Sequence, residues 1–333
     1  MGKWKVTLII GVLIVFSASL ALAQFKFERP ITIIVPWAAG GASDQTARIL
    51  AGEMEKTLGQ KIAVVNQPGG SGSIGQKGVY DAKHDGYTWA GNADGSVVTY
   101  QTLGLLDYPS HKDWLHYYAI FTPIVITVPA DSKLNSVLDL VAEMKKKPGE
   151  VKVASAGVGA GGHAAAEVFR KATGIEYKHI PYKGGYPAVV ATVQGETDTV
   201  MQLSLEVADM LRAKKLKALA VMSKEPLVIS GYGEIPSVMK FIPNHQPLGY
   251  LFGLQIPRDI PEPVKKTIDA AFDKATQSES IKRLADQKAC KAVNIRGKEA
   301  DEAIEVIGSI VNWMFQDIGQ AKKSPAEFGF KKP

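Results

Sequence analysis

Several short segments of this chain place glycine and one or two polar residues just after an apolar run, a pattern that suits capture of an anion. The clearest is Val35-Pro36-Trp37-Ala38-Ala39-Gly40-Gly41-Ala42-Ser43-Asp44. Its two glycines let the chain bend sharply and leave backbone N–H groups uncovered. Ser43 or Asp44 is placed to cap the helix that follows. The amides of such a turn sit at the positive end of a helix dipole, where a carboxylate is favoured.

Other chemistries find less support in the residues. Gly157-x-Gly159-x-x-Gly162 matches the bare dinucleotide pattern, but Ile180-Pro181-Tyr182-Lys183 offers no acidic residue for a ribose. There is no Walker A pattern, and Gly70-Ser71-Gly72 lacks the spacing of a nucleophile elbow. His163 is the only histidine within a glycine loop; His84, His111, His116, His179 and His245 are scattered. No His, Cys and carboxylate group has metal-ligand spacing, so neither a metal nor a cofactor is expected. Lys183 reads as solvated or ligand-pairing rather than catalytic.

The elements that must position these loops alternate between strand and helix. Ile31–Val35 reads as a strand. Ala47, Leu50, Ala51, Met54 and Leu58 follow at helical spacing, closed by Gly59. Ile62–Val65 is a second strand, 74–82 a helix, and Tyr87–Ala90 a third strand that empties into a polar loop, 91–96, carrying Asn92 and Ser96. Pro123–Val128 reads as a strand crossing to a second domain. Ser136 caps a helix ending near Lys147. Val151–Ala154 and Tyr177–Ile180 are strands that run into glycine loops and helices, with further strands at 197–203 and 216–222. The segment 252–256 reads as a last strand. Helices follow at about 261–277 and 298–318, the latter expected to face Ala303, Val306, Ile307, Ile310, Trp313 and Met314 inward. Such alternation implies a largely parallel sheet, with ligands bound at the carboxyl ends of its strands.

Length and composition fit this reading. The chain has 333 residues, 46% hydrophobic, enough for two ordinary domains. Lys3 and Lys5, the apolar run 6–16 and Ala21-Leu22-Ala23 form a secretory signal peptide expected to be cleaved after Ala23. A periplasmic protein is therefore expected. Cys290 is the single cysteine, so no intramolecular disulfide is possible. The formal charge of +6 is mildly basic, and no basic cluster with interleaved aromatics argues for nucleic acid.

The segment 29–44 with Ala47-Arg48 resembles the N-terminal signature of the Bug (TctC-like) family, the substrate-binding proteins of tripartite tricarboxylate transporters. Leu58-Gly59-Gln60, Val64-Val65-Asn66-Gln67-Pro68-Gly69-Gly70, Ile74-Gly75 and Asp85-Gly86-Tyr87-Thr88 follow in the family's order. So do Ala156-Gly157-Val158-Gly159 with His163, Ile180-Pro181-Tyr182-Lys183-Gly184 with Gly195, Leu219-Ala220-Val221, Ile235-Pro236-Ser237-Val238 and Phe252-Gly253-Leu254. The stretch 104–118 departs from the family pattern, and 222–226 lacks the arginine often found there.

The resemblance implies a two-domain α/β periplasmic-binding-protein (Venus flytrap) fold with mostly parallel sheets joined by crossing hinge strands. The expected division is 24–124 and 223–333 in domain 1, and 125–222 in domain 2. It implies that a small organic carboxylate is held between the domains, largely by backbone amides and bridging water. The candidate ligand-binding residues are Trp37, Ala38, Gly40, Gly41, Ala42, Ser43 and Asp44 in the first loop. Asn92 and Ser96 follow the third strand; Ser155, Gly157, Val158, Gly159 and His163 form the second loop, and Tyr182, Lys183 and Gly184 the third. The carboxylate is expected at the N-termini of the helices after Gly41 and Gly162. The partners implied are membrane subunits of a tripartite tricarboxylate-type transporter, with the binding protein acting as a monomer. A ligand sensor and an exported enzyme are the alternative roles.

Overall fold

The computed structural model describes residues 25–333. The expected signal peptide and cleavage site lie outside the described residues. In chain order the first part comprises β1 (Ile31–Val35), α1 (Ala42–Leu58), β2 (Ile62–Asn66), α2 (Ser73–Tyr80), β3 (Thr88–Ala93), α3 (Asp94–Thr102) and β4 (Trp114–Pro129). The middle comprises α4 (Val137–Lys146), β5 (Lys152–Ser155), α5 (Gly161–Thr173), β6 (Lys178–Pro181), α6 (Gly185–Val193), β7 (Thr199–Leu203), α7 (Ser204–Arg212) and β8 (Leu216–Val221). The remainder comprises β9 (Leu227–Ile229), β10 (Gly233–Ile235), β11 (Gly249–Pro257), α8 (Glu262–Thr276), α9 (Glu279–Lys288), β12 (Lys291–Arg296) and α10 (Lys298–Asp317).

The strands run in the order β2-β1-β3-β11-β4-β7-β5-β6. Parallel trios stand on either side: β1 pairs with β2 and β3, and β5 with β6 and β7. Antiparallel β11 and β4 join them. The sixteen-residue β4 is the shared member. Trp114 to Pro123 face β11, Ile124 to Thr127 face β7, and β8 pairs with Val125 to Pro129. The chain thus changes partner between Pro123 and Ile124. Three backbone hydrogen bonds gather the crossing segments there: Met222 N–H to Ile124 O at 2.8 Å, Leu248 N–H to Met222 O at 2.7 Å and Ile124 N–H to Leu248 O at 3.3 Å.

Local signals account for the clearest elements. In α1 the buried Ala47, Leu50, Ala51, Met54 and Leu58 form one stripe, and Gly59 ends the helix at φ +67°, where a side chain would strain. Ser136 caps α4 in a complete capping box with Asp139. The main core packs Trp89, Trp114, Tyr117, Tyr118, Phe272 and Phe315, all fully buried. A second cluster beneath α6 and α7 contains Val189, Val200, Val207, Leu211 and Leu216.

Four expectations need correction. The polar segment 91–96 is not a loop: 91–93 end β3 and α3 begins at Asp94 without a gap. Helix α7 and strand β12 were not anticipated, so 252–256 is not the last strand. In α10 the buried stripe is Ala300, Ile304, Ile307, Gly308, Val311, Met314 and Phe315, whereas Val306 is 61% exposed. Two apolar stripes lie side by side on that helix, and packing against α3 buries one of them. Lastly, neither Ser43 nor Asp44 caps α1; the N-cap is Gly41, with no side-chain bond of its own.

Candidate ligand-binding cavity

The first turns of five helices meet at one small cavity. Gly41, Ala42 and Ser43 bring α1; Ala93 and Ser96 bring α3; Ala160, Gly161 and Gly162 bring α5. Gly185 opens α6, and Leu203 and Glu206 open α7. Each helix follows a parallel strand (β1, β3, β5, β6, β7), so the cavity lies at the carboxyl ends of both trios, where such sheets bind ligands. None of the five has a side-chain cap from its own N-cap residue. The positive ends of the five helices thus lie at the cavity, an arrangement that favours negative charge, although the Ala42 and Gly95 amides are taken by Glu206 and Asp94. Trp37, Ala156, Tyr250 and Phe252 supply apolar wall.

The positions expected from sequence divide sharply. Trp37, Gly41, Ala42, Ser43 and Ser96 line the cavity. Asn92 stands behind it as support: Trp37 Nε1 donates to Asn92 Oδ1 at 2.8 Å, and Asn92 Nδ2 donates to Gln76 Oε1 at 3.0 Å and Tyr100 Oη at 3.1 Å. That network fixes the indole against the cavity. Asp44 is buried but turned to its own loop. It accepts from Gly40 N at 2.9 Å and Asn66 Nδ2 at 2.9 Å, and pairs with Arg48 at 2.9 Å. Burial pushes its carboxyl up, but these donors outweigh burial and hold it below the usual range.

Several expected residues close the molecule rather than line the cavity. Ala38 N–H donates to Lys183 O at 3.0 Å, so Lys183 contributes its backbone while its side chain is exposed. Thr99 Oγ1 donates to Gly159 O at 3.2 Å. Gly40 lies against the Tyr186 ring, Gly157 against Ser71, and Gly184 against Ala38. These contacts join the two parallel trios across the cleft. Tyr182 turns away, its hydroxyl donating to Glu196 at 3.2 Å, and Val158 is 38% exposed.

Ser155 and His163 belong to a structural cluster beside the cavity. Ser155 Oγ lies 2.6 Å from His179 Nε2 and also bonds the Gly157 backbone. His163 accepts from Gly159 N at 3.1 Å and stacks on His179 with ring centroids 4.1 Å apart. Burial pushes His179 down to about 3, so it is neutral. Ser155 is fully buried, and neither it nor His179 reaches the cavity, so this pair shapes the loop rather than attacking a ligand.

Sequence reasoning missed the polar floor. Glu206, 5% exposed, accepts the Ala42 N–H through Oε1 at 2.8 Å and so supplies the cap that α1 lacks. Its Oε2, Gln202 Oε1 and the Tyr250 hydroxyl are buried without a partner. Burial raises the Glu206 carboxyl to about 7, although the Ala42 hydrogen bond and the neighbouring Gln202 side chain pull it down. Asp94, whose Oδ1 accepts from Gly95 N at 2.6 Å and Leu251 N at 3.1 Å, is raised to about 7 for the same reason. The signal available for Glu206 is an acidic residue three positions beyond the buried strand β7, without the glycines that mark the other loops.

The sequence profile of the tripartite tricarboxylate transporter family receptor matches residues 46–306. The UPF0065 protein in the tcbD-tcbE intergenic region of Pseudomonas sp. strain P51 is 32% identical over 266 residues, 77% of this chain and 78% of that protein. Among solved structures, the periplasmic binding protein BugD superposes with a TM-score of 0.83 at 24% identity, covering 89% of this chain and all (100%) of its own. MatC from Rhodopseudomonas palustris with bound malate gives 0.78 at 23% identity, covering 87% and 98%. The fold is thus the two-domain periplasmic-binding-protein fold that the sequence led us to expect.

Proposed function

The chain belongs to the tripartite tricarboxylate transporter receptor family of solute-binding proteins, and from that premise we propose that it captures a small organic carboxylate in the cavity between its two parallel trios. The observation that carries this is the convergence of five helix N-termini, none capped by its own N-cap side chain, on one partly apolar space. At α1 the protein's own Glu206 already occupies the Ala42 amide. At α5 the first turn contains no acidic residue, and Gly161 and Gly162 line the cavity. We therefore assign the carboxylate to the α5 end, not equally to both helices. Trp37 and Phe252 cover the carbon skeleton. That MatC holds malate on a similar fold supports the same ligand class here.

Capture and release, rather than catalysis, is the proposed work of the site. The domain division is proposed at the β4 crossing, with 125–222 as the second domain. Closure brings the Ala38–Lys183 and Thr99–Gly159 contacts together and excludes water from the ligand. The closed form, as an exported monomer in the periplasm, then docks on membrane subunits of a tripartite transporter. A thermal-shift screen of small carboxylates tests the ligand class. A ligand at 100 times its Kd stabilises the protein by about 2.7 kcal/mol. A rise in melting temperature with carboxylates, and none with the matching amides or alcohols, is the expected result. No shift with any carboxylate overturns the reading.

A further inference from the structure

We propose that the solute carries a protonated nitrogen as well as its carboxylate, and that Glu206 with Gln202 is the pair that recognises that nitrogen. This rests on the carboxylate reading above and extends it from ligand class to ligand type. A buried carboxylate requires partners for both oxygens. Glu206 has one: Oε1 takes the Ala42 amide at 2.8 Å, while Oε2 has none. Among the described residues no lysine, arginine or histidine nitrogen comes within 4.0 Å of it, so no internal cation balances it. Gln202 adds a second unpaired acceptor: its Oε1 is also buried without a partner. Tyr250 Oη, also unpartnered, can accept as well. The cavity floor therefore offers acceptors that nothing in the protein fills.

Glycine at position 185 keeps this floor open. A Cβ there would lie 2.1 Å from both Glu206 Oε2 and Gln202 Nε2, so any side chain would cover the carboxylate. An ammonium group presents three donors from one centre. Those donors match the unpartnered acceptors of the lining, Glu206 Oε2 and Gln202 Oε1 first, while the ligand's carboxylate points to the Gly161–Gly162 amides. A plain carboxylic acid has no donor for this end and brings a second negative charge toward Glu206. A hydroxy acid supplies one donor and no charge. The acceptor-rich floor thus selects a zwitterion, an amino acid in the broad sense.

The test is calorimetric titration of the full mature chain with matched sets of three. Each set holds an amino acid, the same acid without nitrogen, and the amine without carboxylate: leucine, 4-methylpentanoate and isopentylamine; alanine, propionate and ethylamine; proline, cyclopentanecarboxylate and pyrrolidine. The expected result is that one amino acid binds at least about tenfold tighter than both of its partners. In Glu206→Gln the amide NH2 faces the cavity when its oxygen keeps the Ala42 bond, so the preference should reverse: the amino acid weakens about tenfold or more and its des-amino acid gains. Gln202→Leu, which keeps the glutamate, should weaken only the amino acid and serves if Glu206→Gln does not fold. Des-amino acids binding as tightly as amino acids, or an unchanged ratio in the folded variants, would overturn this inference and leave the carboxylate reading intact. Amines binding as tightly as amino acids, or nothing binding, would overturn both.

Discussion

Glu206 Oε1 accepts the Ala42 amide at 2.8 Å, so a carboxylate carried by the β7–α7 junction caps the helix that follows β1. The two residues are 164 positions apart and stand on opposite parallel trios. A helix start that sequence reasoning assigned to the ligand is thus held by the protein itself. The price is a carboxylate kept in a cavity with its second oxygen unpaired.

That arrangement predicts how stability depends on pH. The folded-state pKa of Glu206, about 7, lies above its ordinary value. Its contribution is fully present below the unfolded value and is lost as pH rises through about 7. Unliganded wild type should therefore lose stability relative to Glu206→Gln between pH 5 and pH 8, by roughly 1–3 kcal/mol. Urea unfolding of both proteins across that range measures it. A difference that does not change with pH would count against a carboxyl so perturbed. Asp94 titrates in the same window in both proteins and cancels in the comparison.

The Trp37 wall depends on a side chain that never touches the cavity. Asn92→Leu leaves Trp37 Nε1, Gln76 Oε1 and Tyr100 Oη short of partners they now have. It should destabilise the fold by about 2–4 kcal/mol and broaden the setting of the indole. Unfolding curves and tryptophan fluorescence of the variant, with and without ligand, give both numbers. A near-neutral result would mean that the network is dispensable.

Lys183 and Gly159 should behave in opposite ways. The Lys183 side chain is exposed and its carbonyl makes the cross-cleft bond, so Lys183→Ala should change affinity by less than about threefold. Gly159 sits at φ +77°, and a Cβ there would lie 2.4 Å from Leu103 Cδ1 across the cleft. Gly159→Val should block closure and weaken binding at least about tenfold, through strain of order 1–3 kcal/mol. Titration of both variants with one ligand compares them directly. A large loss in Lys183→Ala with normal binding by folded Gly159→Val would point to a side-chain ion pair instead.

The hinge prediction is geometric. The chain changes sheet partner between Pro123 and Ile124, and Met222 and Leu248 are bonded at that crossing. Closure by rotation about these few residues should reduce the solution radius when ligand binds. Small-angle scattering at saturating ligand should show that decrease, and an unchanged radius would argue for a cleft that stays closed.

What could be read from the sequence followed turn chemistry. β1 and α1 were legible because β-branched residues lead to glycines and a helical stripe that Gly59 ends. Ser136 announced α4 in the same way, and the structure adds Asp139 to complete the cap. α7 was not legible because β7 ends at Leu203 and the helix begins at Ser204, with no glycine or proline between them. β3 and α3 abut in the same manner at Ala93 and Asp94. The site shows the same bias. A search for glycine loops finds the cavity's backbone rim, Gly41 and Ala42, but not the polar floor of Gln202, Glu206 and Tyr250, which lies on elements without turn signals. It also gathers Gly157, Gly159 and Gly184, whose lack of a side chain serves close approach across the cleft rather than contact with the cavity.

The central claim is that a carboxylate ligand occupies the space where the five helix starts meet. The most direct test is calorimetric titration of wild type and Gly185→Ala with the tightest carboxylate from the thermal-shift screen. The added methyl would lie 2.1 Å from Gln202 Nε2 and Glu206 Oε2, so these side-chain ends must shift within the cavity. Micromolar or tighter binding by wild type (about −8 kcal/mol or better), lost in a variant that keeps its melting temperature, is the predicted result. Equal affinity in the two proteins would place the ligand elsewhere and contradict the account.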